Sequence, residues 1–251
     1  MSLDIKLGSY SFGDYVDTFE ISQDSRVEQI EIPRRHGLMS DVGYRSGISI
    51  RIGGLIYCDS YLDTRTAFNL LKNAFQLGKA VLTVFSDRQI VVQKTSFQSS
   101  YEEQDLRRIR WDAELVADDF GFVDVDPTVA SVSASASPQT NVVATSGNLE
   151  TNHIMRITAN TDNIATGLRI DNLTTGKYFI YNAAITAGHW IQIDTDLLTV
   201  VDDTGANKLT NFSGDFFTLA AGNNSIRWTG TVSGAVKPAY TITYRGKYDG
   251  I

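Results

Sequence analysis

The sequence predicts a mainly β protein in two domains, an α+β unit followed by a β-sandwich. Three observations carry this. Ile109 to Ala117 alternates strictly, with Ile109, Trp111, Ala113, Leu115 and Ala117 on one side and Arg110, Asp112, Glu114 and Val116 on the other. That is a strand with one buried and one mostly wet face. A single stretch, Asp63 to Leu77, has helical periodicity. The second half breaks into short β-branched and aromatic runs separated by Gly/Asn/Asp turns, the pattern of a sandwich.

In chain order, Val16 to Ile21 and Val27 to Ile32 read as short strands. Ile48-Ser49-Ile50-Arg51-Ile52 alternates and then meets Gly53-Gly54, a bulge or bend. The helix is placed at 63–77, with Asp63-Thr64 as its cap, an apolar stripe of Ala67, Phe68, Leu70, Leu71, Ala74, Phe75 and Leu77, and Gly78 as its stop. Ala80 to Phe85 and Ile90 to Val92 are strands around the turn Ser86-Asp87-Arg88. The second half gives strands at 153–158, 167–171, 177–181, 189–194, 197–201, 225–228 and 240–244, with no convincing helix. The Ser/Ala-rich run between Pro127 and Pro138 has little to bury. The expected division is therefore a first domain at 1–126, a linker at 127–140 and a second domain at 141–251, although Val129 to Ala134 also reads as an opening strand.

The chain has 251 residues, a hydrophobic fraction of 42% and a formal net charge of -7. It can build sizeable cores, and its acidity disfavours a general nucleic-acid binder. The acid is concentrated in residues 1–126, which hold 20 Asp and Glu against 14 Lys and Arg; residues 127–251 hold 9 against 8. One cysteine, Cys58, cannot form an intrachain disulfide and reads as a small apolar residue. Met1 to Asp4 carries no leader pattern, and no run is apolar and long enough to span a bilayer, so neither a signal peptide nor a membrane anchor is expected.

The search for chemistry yields no catalytic residue, no cofactor motif and no metal set. The three histidines, His36, His153 and His189, belong to no HExxH helix or Cys/His cluster. There is no GxSxG, P-loop or GxGxxG. Asp194 with Asp196 is the best carboxylate pair for glycoside hydrolysis, projecting to one face of a continuing strand, but Asp at strand ends usually serves turns. Arg107, Arg108 and Arg110 are interleaved with Glu102, Glu103, Asp105, Asp112 and Glu114, which favours ion-paired surface over nucleic-acid contact. Arg26 to Gly47 is a polar loop or exposed hairpin bearing Arg26, Arg34, Arg35 and Arg45, a candidate subunit interface. Trp190 and Trp228, with Tyr178 and Tyr181, are candidate sugar-stacking platforms, against the alternative that they are core.

The order of these features resembles the distal tail protein of siphophages, Dit, within the wider phage tail-component family. The resemblance is spread over the chain: Phe12-Gly13, the stretch ending Pro33-Arg34-Arg35-His36-Gly37, the helix, Gly78-Lys79-Ala80 and the strand closing at Ala117. In the second half it rests on Trp190 to Asp194, Val200 to Gly205 and above all F-x-x-L-x-x-G-x-N-x-I from Phe216 to Ile226. It implies an N-terminal β-barrel with one helix and a C-terminal galectin-like sandwich. It also implies a virion protein made in the host bacterial cytoplasm. There it forms a non-enzymatic hexameric ring in the tail tip or baseplate, joined to the tail tube protein and to tip, tail-associated or receptor-binding proteins. DNA only transits its lumen. The alternative function is a carbohydrate-binding accessory module for host-surface attachment.

Overall fold

The computed structural model describes residues 4–26, 29–31, 38–40, 44–76, 78–102, 105–117, 119–235 and 237–250. The chain divides into two compact units, residues 1–125 with 249–251, and residues 126–248.

The first unit contains β1 (Ile5–Leu7), β2 (Tyr10–Ser11), β3 (Thr18–Arg26), β4 (Gln29–Glu31), β5 (Leu38–Ser40), β6 (Tyr44–Tyr57), α1 (Tyr61–Ala74), β7 (Lys79–Val84), β8 (Arg88–Glu102), β9 (Asp105–Ala117) and β10 (Phe122–Asp124). The main sheet runs β2-β1-β7-β8-β9-β6-β3, antiparallel throughout, with β10 beside β8. It curls into a half-barrel. The alternation of β9 places Ile109, Trp111, Ala113, Leu115 and Ala117 in the core, as its pattern predicts. Ile48, Ile50, Ile52 and Ile56 of β6 join them, and the rings of Phe12, Phe75, Phe97 and Trp111 interlock, with Phe12 stacked on Trp111 at 5.6 Å.

The helix starts two residues earlier than expected and stops at Ala74. Its cap is Ser60, in extended backbone, whose Oγ accepts from the Asp63 amide at 3.1 Å while its hydroxyl donates to Asp63 Oδ2 at 2.7 Å. Asp63 therefore works inside the first turn, and Leu71 and Phe75 carry the buried stripe. Leu70, expected in that stripe, is 56% exposed, and Leu77 lies outside the described residues. At Gly54 a Cβ would sit 1.7 Å from the Tyr15 carbonyl oxygen, so glycine is required there by close approach rather than by a bulge.

The second unit contains β11 (Thr128–Ser133), β12 (Gln139–Thr145), β13 (His153–Thr158), β14 (Leu168–Asn172), β15 (Lys177–Tyr181), β16 (Trp190–Asp194), β17 (Thr199–Asp202), β18 (Phe212–Gly214), β19 (Gly222–Thr229) and β20 (Ala239–Tyr244). Two five-stranded sheets, β11-β20-β13-β16-β17 and β12-β19-β14-β15-β18, share one core. Met155, Ile157, Ile191, Ile193, Tyr240 and Ile242 meet Leu168, Ile170, Phe179, Ile226 and Trp228 across it. The stretch 127–140 is not a free linker: β11 pairs with β20 from Thr128↔Tyr244 to Ser133↔Ala239. Val129, Ala130 and Val132 are enough for a strand when a complete partner strand supplies the ladder.

Candidate functional site

Two clefts stand out, one in each unit. In the first unit, Ser49, Arg51, Gly53 and Tyr57 of β6 face away from the core, beside Arg108, Arg110, Asp112 and Glu114 of β9. Gly53 has no side chain to fill this face, and a cavity of about 400 Å3 opens over it. Asp17, Thr18, Arg51, Gln98, Ser100 and Arg110 are among its walls. The charges here are already matched. Arg51 clasps Asp112 at 2.9 Å, and Arg110 reaches Glu102 at 3.2 Å and Asp17 at 3.8 Å. Arg108 bonds Glu102 at 3.3 Å, and Arg107 bonds Asp105 at 3.1 Å. Both guanidiniums lie over the Tyr57 ring, Arg107 at 5.8 Å and Arg108 at 5.1 Å. Hydrogen bonds from Arg107 hold the Asp105 carboxyl below its ordinary value. The Arg107 to Arg110 cluster is thus an ion-paired surface.

In the second unit a cavity of about 290 Å3 lies beside Trp190, at the ends of β15, β16 and β17. His189 Nδ1 sits 2.6 Å from Asp203 Oδ2. Lys208 bonds Asp202 Oδ2 at 3.0 Å. Hydrogen bonds from Thr204 and Lys208 hold Asp202 far below the carboxylate range, with the Ala206 and Thr204 amides adding to them. Asp202 therefore stays ionised and fixes the loop that carries Asp203 and Lys208.

The other predicted positions sort as follows. Trp190 is half-buried on the outward side of β16, with the Arg156 guanidinium 3.9 Å from its ring centre. Trp228 is 1% exposed and cannot stack on a sugar; it shares strand parity with Ile226, which already faces the core. Tyr181 is also core, and Tyr178 is exposed, with the Arg169 guanidinium 3.9 Å from its ring centre, and does not line the cavity. Asp194 and Asp196 do not form a face-sharing pair, because β16 ends at Asp194 and its Oδ1 accepts from the amides of Asp196 and Leu197. Arg26 and Arg45 fall where β3 and β6 pair, at Arg26↔Tyr44 and Ser25↔Arg45, and β4 pairs with β5, so the expected loop is partly strand. Arg34, Arg35 and His36 lie outside the described residues. Cys58 is half-buried against the first core.

Sequence reasoning missed two features. His153 is buried, with neither ring nitrogen hydrogen-bonded, and packs on Phe217 at 5.3 Å. Asp171, 5% exposed, is gripped by Arg169 at 2.7 Å and Arg227 at 3.2 Å. Burial pushes its carboxyl up, but those bonds outweigh burial and leave it below the ordinary value. Its outward parity on β14 beside two strand arginines was the available signal. Among the described residues, no group of three or more His, Cys, Asp and Glu side chains is placed to hold a metal ion. No described helix is long and apolar enough to cross a membrane.

A curled sheet with a helix, and a β-sandwich, define a protein built from two β-rich units. Residues 146–248 match the family model for the siphovirus-type tail component, C-terminal domain. The chain as a whole has the fold of the SPP1 Dit protein, a paradigm of the hub adsorption apparatus in phages that infect Gram-positive hosts. The two align with a TM-score of 0.74 over 98% of each chain, at 13% identity. A chain of the phage p2 baseplate in its activated conformation aligns at a TM-score of 0.46 and 10% identity, over 100% of this chain and 99% of that one. No curated protein matches the chain in sequence.

Proposed function

We propose that this protein is a non-enzymatic structural component of a siphophage tail tip or baseplate. Six copies form a ring that joins the tail tube to the adsorption apparatus and leaves a channel for DNA. The observation that carries this is the pairing, in one chain, of a siphovirus-type tail-component domain with a fold that follows SPP1 Dit over 98% of both chains. The protein then resides in the virion tail, is made in the host bacterial cytoplasm, and contacts the tail tube protein and tip proteins.

A closed ring needs two different, complementary surfaces on each copy. The first unit offers an outward face of fixed, alternating charges, and the sequence from β3 to β6 carries Arg26, Arg34, Arg35 and Arg45. We assign the subunit contact to these. The excess of acid in residues 1–126 leaves little positive field for phosphates, so DNA passes without counterion-releasing contacts. Native mass spectrometry of the full chain tests this: the expected species has six times the 27.7 kDa of the monomer. The double variant Arg34→Glu with Arg35→Glu lowers its population. A strict monomer at high concentration, with no ring when tail partners are added, would overturn the reading.

A further inference from the structure

We propose that the cavity beside Trp190 binds a neutral, hydroxyl-rich ring, a pyranose saccharide, with Trp190 as its stacking wall and Asp203, Lys208 and Asn211 as its hydrogen-bonding groups. This goes beyond the ring role and does not depend on it.

Trp190 is the one tryptophan that strand parity turns outward: Ile191 and Ile193 on the same strand face the core, and Trp111 and Trp228 are buried. Arg156 lies over the indole at 3.9 Å but does not line the cavity, so it braces the ring without filling the cleft. A braced aromatic wall loses little rotamer entropy when a ligand stacks on it.

The polar groups around the ring are fixed yet incompletely used. Asp203 spends Oδ2 on His189, leaving Oδ1 as an acceptor. Lys208 spends one donor on Asp202 Oδ2 and keeps two more. The Asn211 side chain brings a donor and an acceptor to the same wall. The Asp202 carboxylate is committed to its own loop through Thr204 and Ala206. Lys208 offsets Asp202, and Asp203 keeps its contact with His189, so the cleft presents no unpaired cation to select an anion. Interleaved donors and acceptors beside an aromatic wall suit vicinal hydroxyls, each of which both gives and takes a hydrogen bond.

The test is fluorine NMR on the full chain carrying 5-fluorotryptophan, titrated separately with D-glucose, D-galactose and N-acetylglucosamine. The expected result is saturable movement of the resonance that disappears in Trp190→Phe, with the Trp111 and Trp228 resonances fixed. Asp203→Ala or Asn211→Ala weakens binding about tenfold, the loss of one hydrogen bond of about 1.4 kcal/mol. If either variant displaces the Trp228 resonance and so disturbs the fold, Lys208→Met replaces it, since the Asp202 bonds to Thr204 and Ala206 remain. No saturable movement with any of the three sugars, or equal affinity in the variants, overturns the site. Native mass spectra of the same samples report the ring separately, so the two readings fail independently.

Discussion

Acidifying the protein from about pH 7 to about pH 4 sets His153 against its surroundings. Burial lowers its imidazole to about 4, a fall that the nearby Asp194 carboxylate only partly offsets. In an unfolded chain the same ring titrates near 6.5. The folded state therefore resists the proton and the unfolded state accepts it. Above about 6.5 both states are neutral and His153 imposes no pH-dependent penalty. Between about 6.5 and 4 the unfolded state gains protons first, and stability falls steadily; below about 4 the loss levels off. At about 1.4 kcal/mol per pH unit, the gap is worth on the order of 3 kcal/mol, a large share of the stability of an ordinary domain.

The assay is urea denaturation of the full chain at several pH values across this range, read by the fluorine resonance of Trp228, which lies in the same core as Phe217. The wild type is expected to lose on the order of 3 kcal/mol across the window. His153→Leu is expected to lose much less, and to be more stable at pH 7, because it removes two buried nitrogens that have no partners. The lowered carboxyls of Asp171 and Asp202 act below this window, since they stay ionised until the pH has passed the ordinary carboxylate value. Parallel pH curves for the wild type and His153→Leu would refute the reasoning, as would an NMR titration placing the His153 ring near 6.5.

Three further perturbations follow from contacts in the fold. Gly54→Ala drives a methyl group into the Tyr15 carbonyl and is expected to destabilise the first unit by at least about 2 kcal/mol, visible as early melting of the Trp111 signal with the Trp228 signal unmoved. Ser60→Ala removes the helix cap and is expected to cost about 1 kcal/mol in urea denaturation, with Ser60→Asp recovering most of it. Arg227→Ala leaves Asp171 with Arg169 alone and is expected to cost about 1–3 kcal/mol at pH 7. That cost shrinks as the pH falls through the Asp171 titration, so a pH series separates it from lost packing.

Elements defined by burial could be read from the chain, and elements defined by pairing could not. The alternation of β9 and the run His153–Thr158 carry their own periodicity because one face of each is in a core. The far half of β8, with Gln93, Lys94, Thr95, Ser96, Gln98, Ser99 and Ser100, has no such pattern. Its strand character comes from its ladder with β9, where Gln98 faces Asp112 and Ser100 faces Arg110. β11, built of small residues, is legible in the sequence only as an alternative to a linker, and its ladder with β20 decides for the strand. The cleft beside Trp190 was half legible: the parity of Ile191 and Ile193 turns Trp190 outward, as the parity of Ile226 turns Trp228 inward. Lys208 and Asn211 reach that cleft only through the loop after β17, and His189 meets Asp203 across 14 residues, a distance no local pattern encodes.

Where the titratable groups sit also bears on what kind of protein this is. A general acid or base is most useful when its pKa lies near the working pH and substrate can reach it. The carboxyls most clearly displaced here, Asp105, Asp171 and Asp202, are all displaced downward by partners, so each is a fixed anion rather than a proton carrier. His153, which moves the other way, is sealed in the sandwich core. Arg51, Arg108 and Arg110 are held against carboxylates on an open sheet face, where the pairs add little stability but set the geometry of the surface. Charges fixed in that way give register and partner choice when two protein surfaces meet. Under the proposed ring role, this charged face would supply that property to the subunit contact.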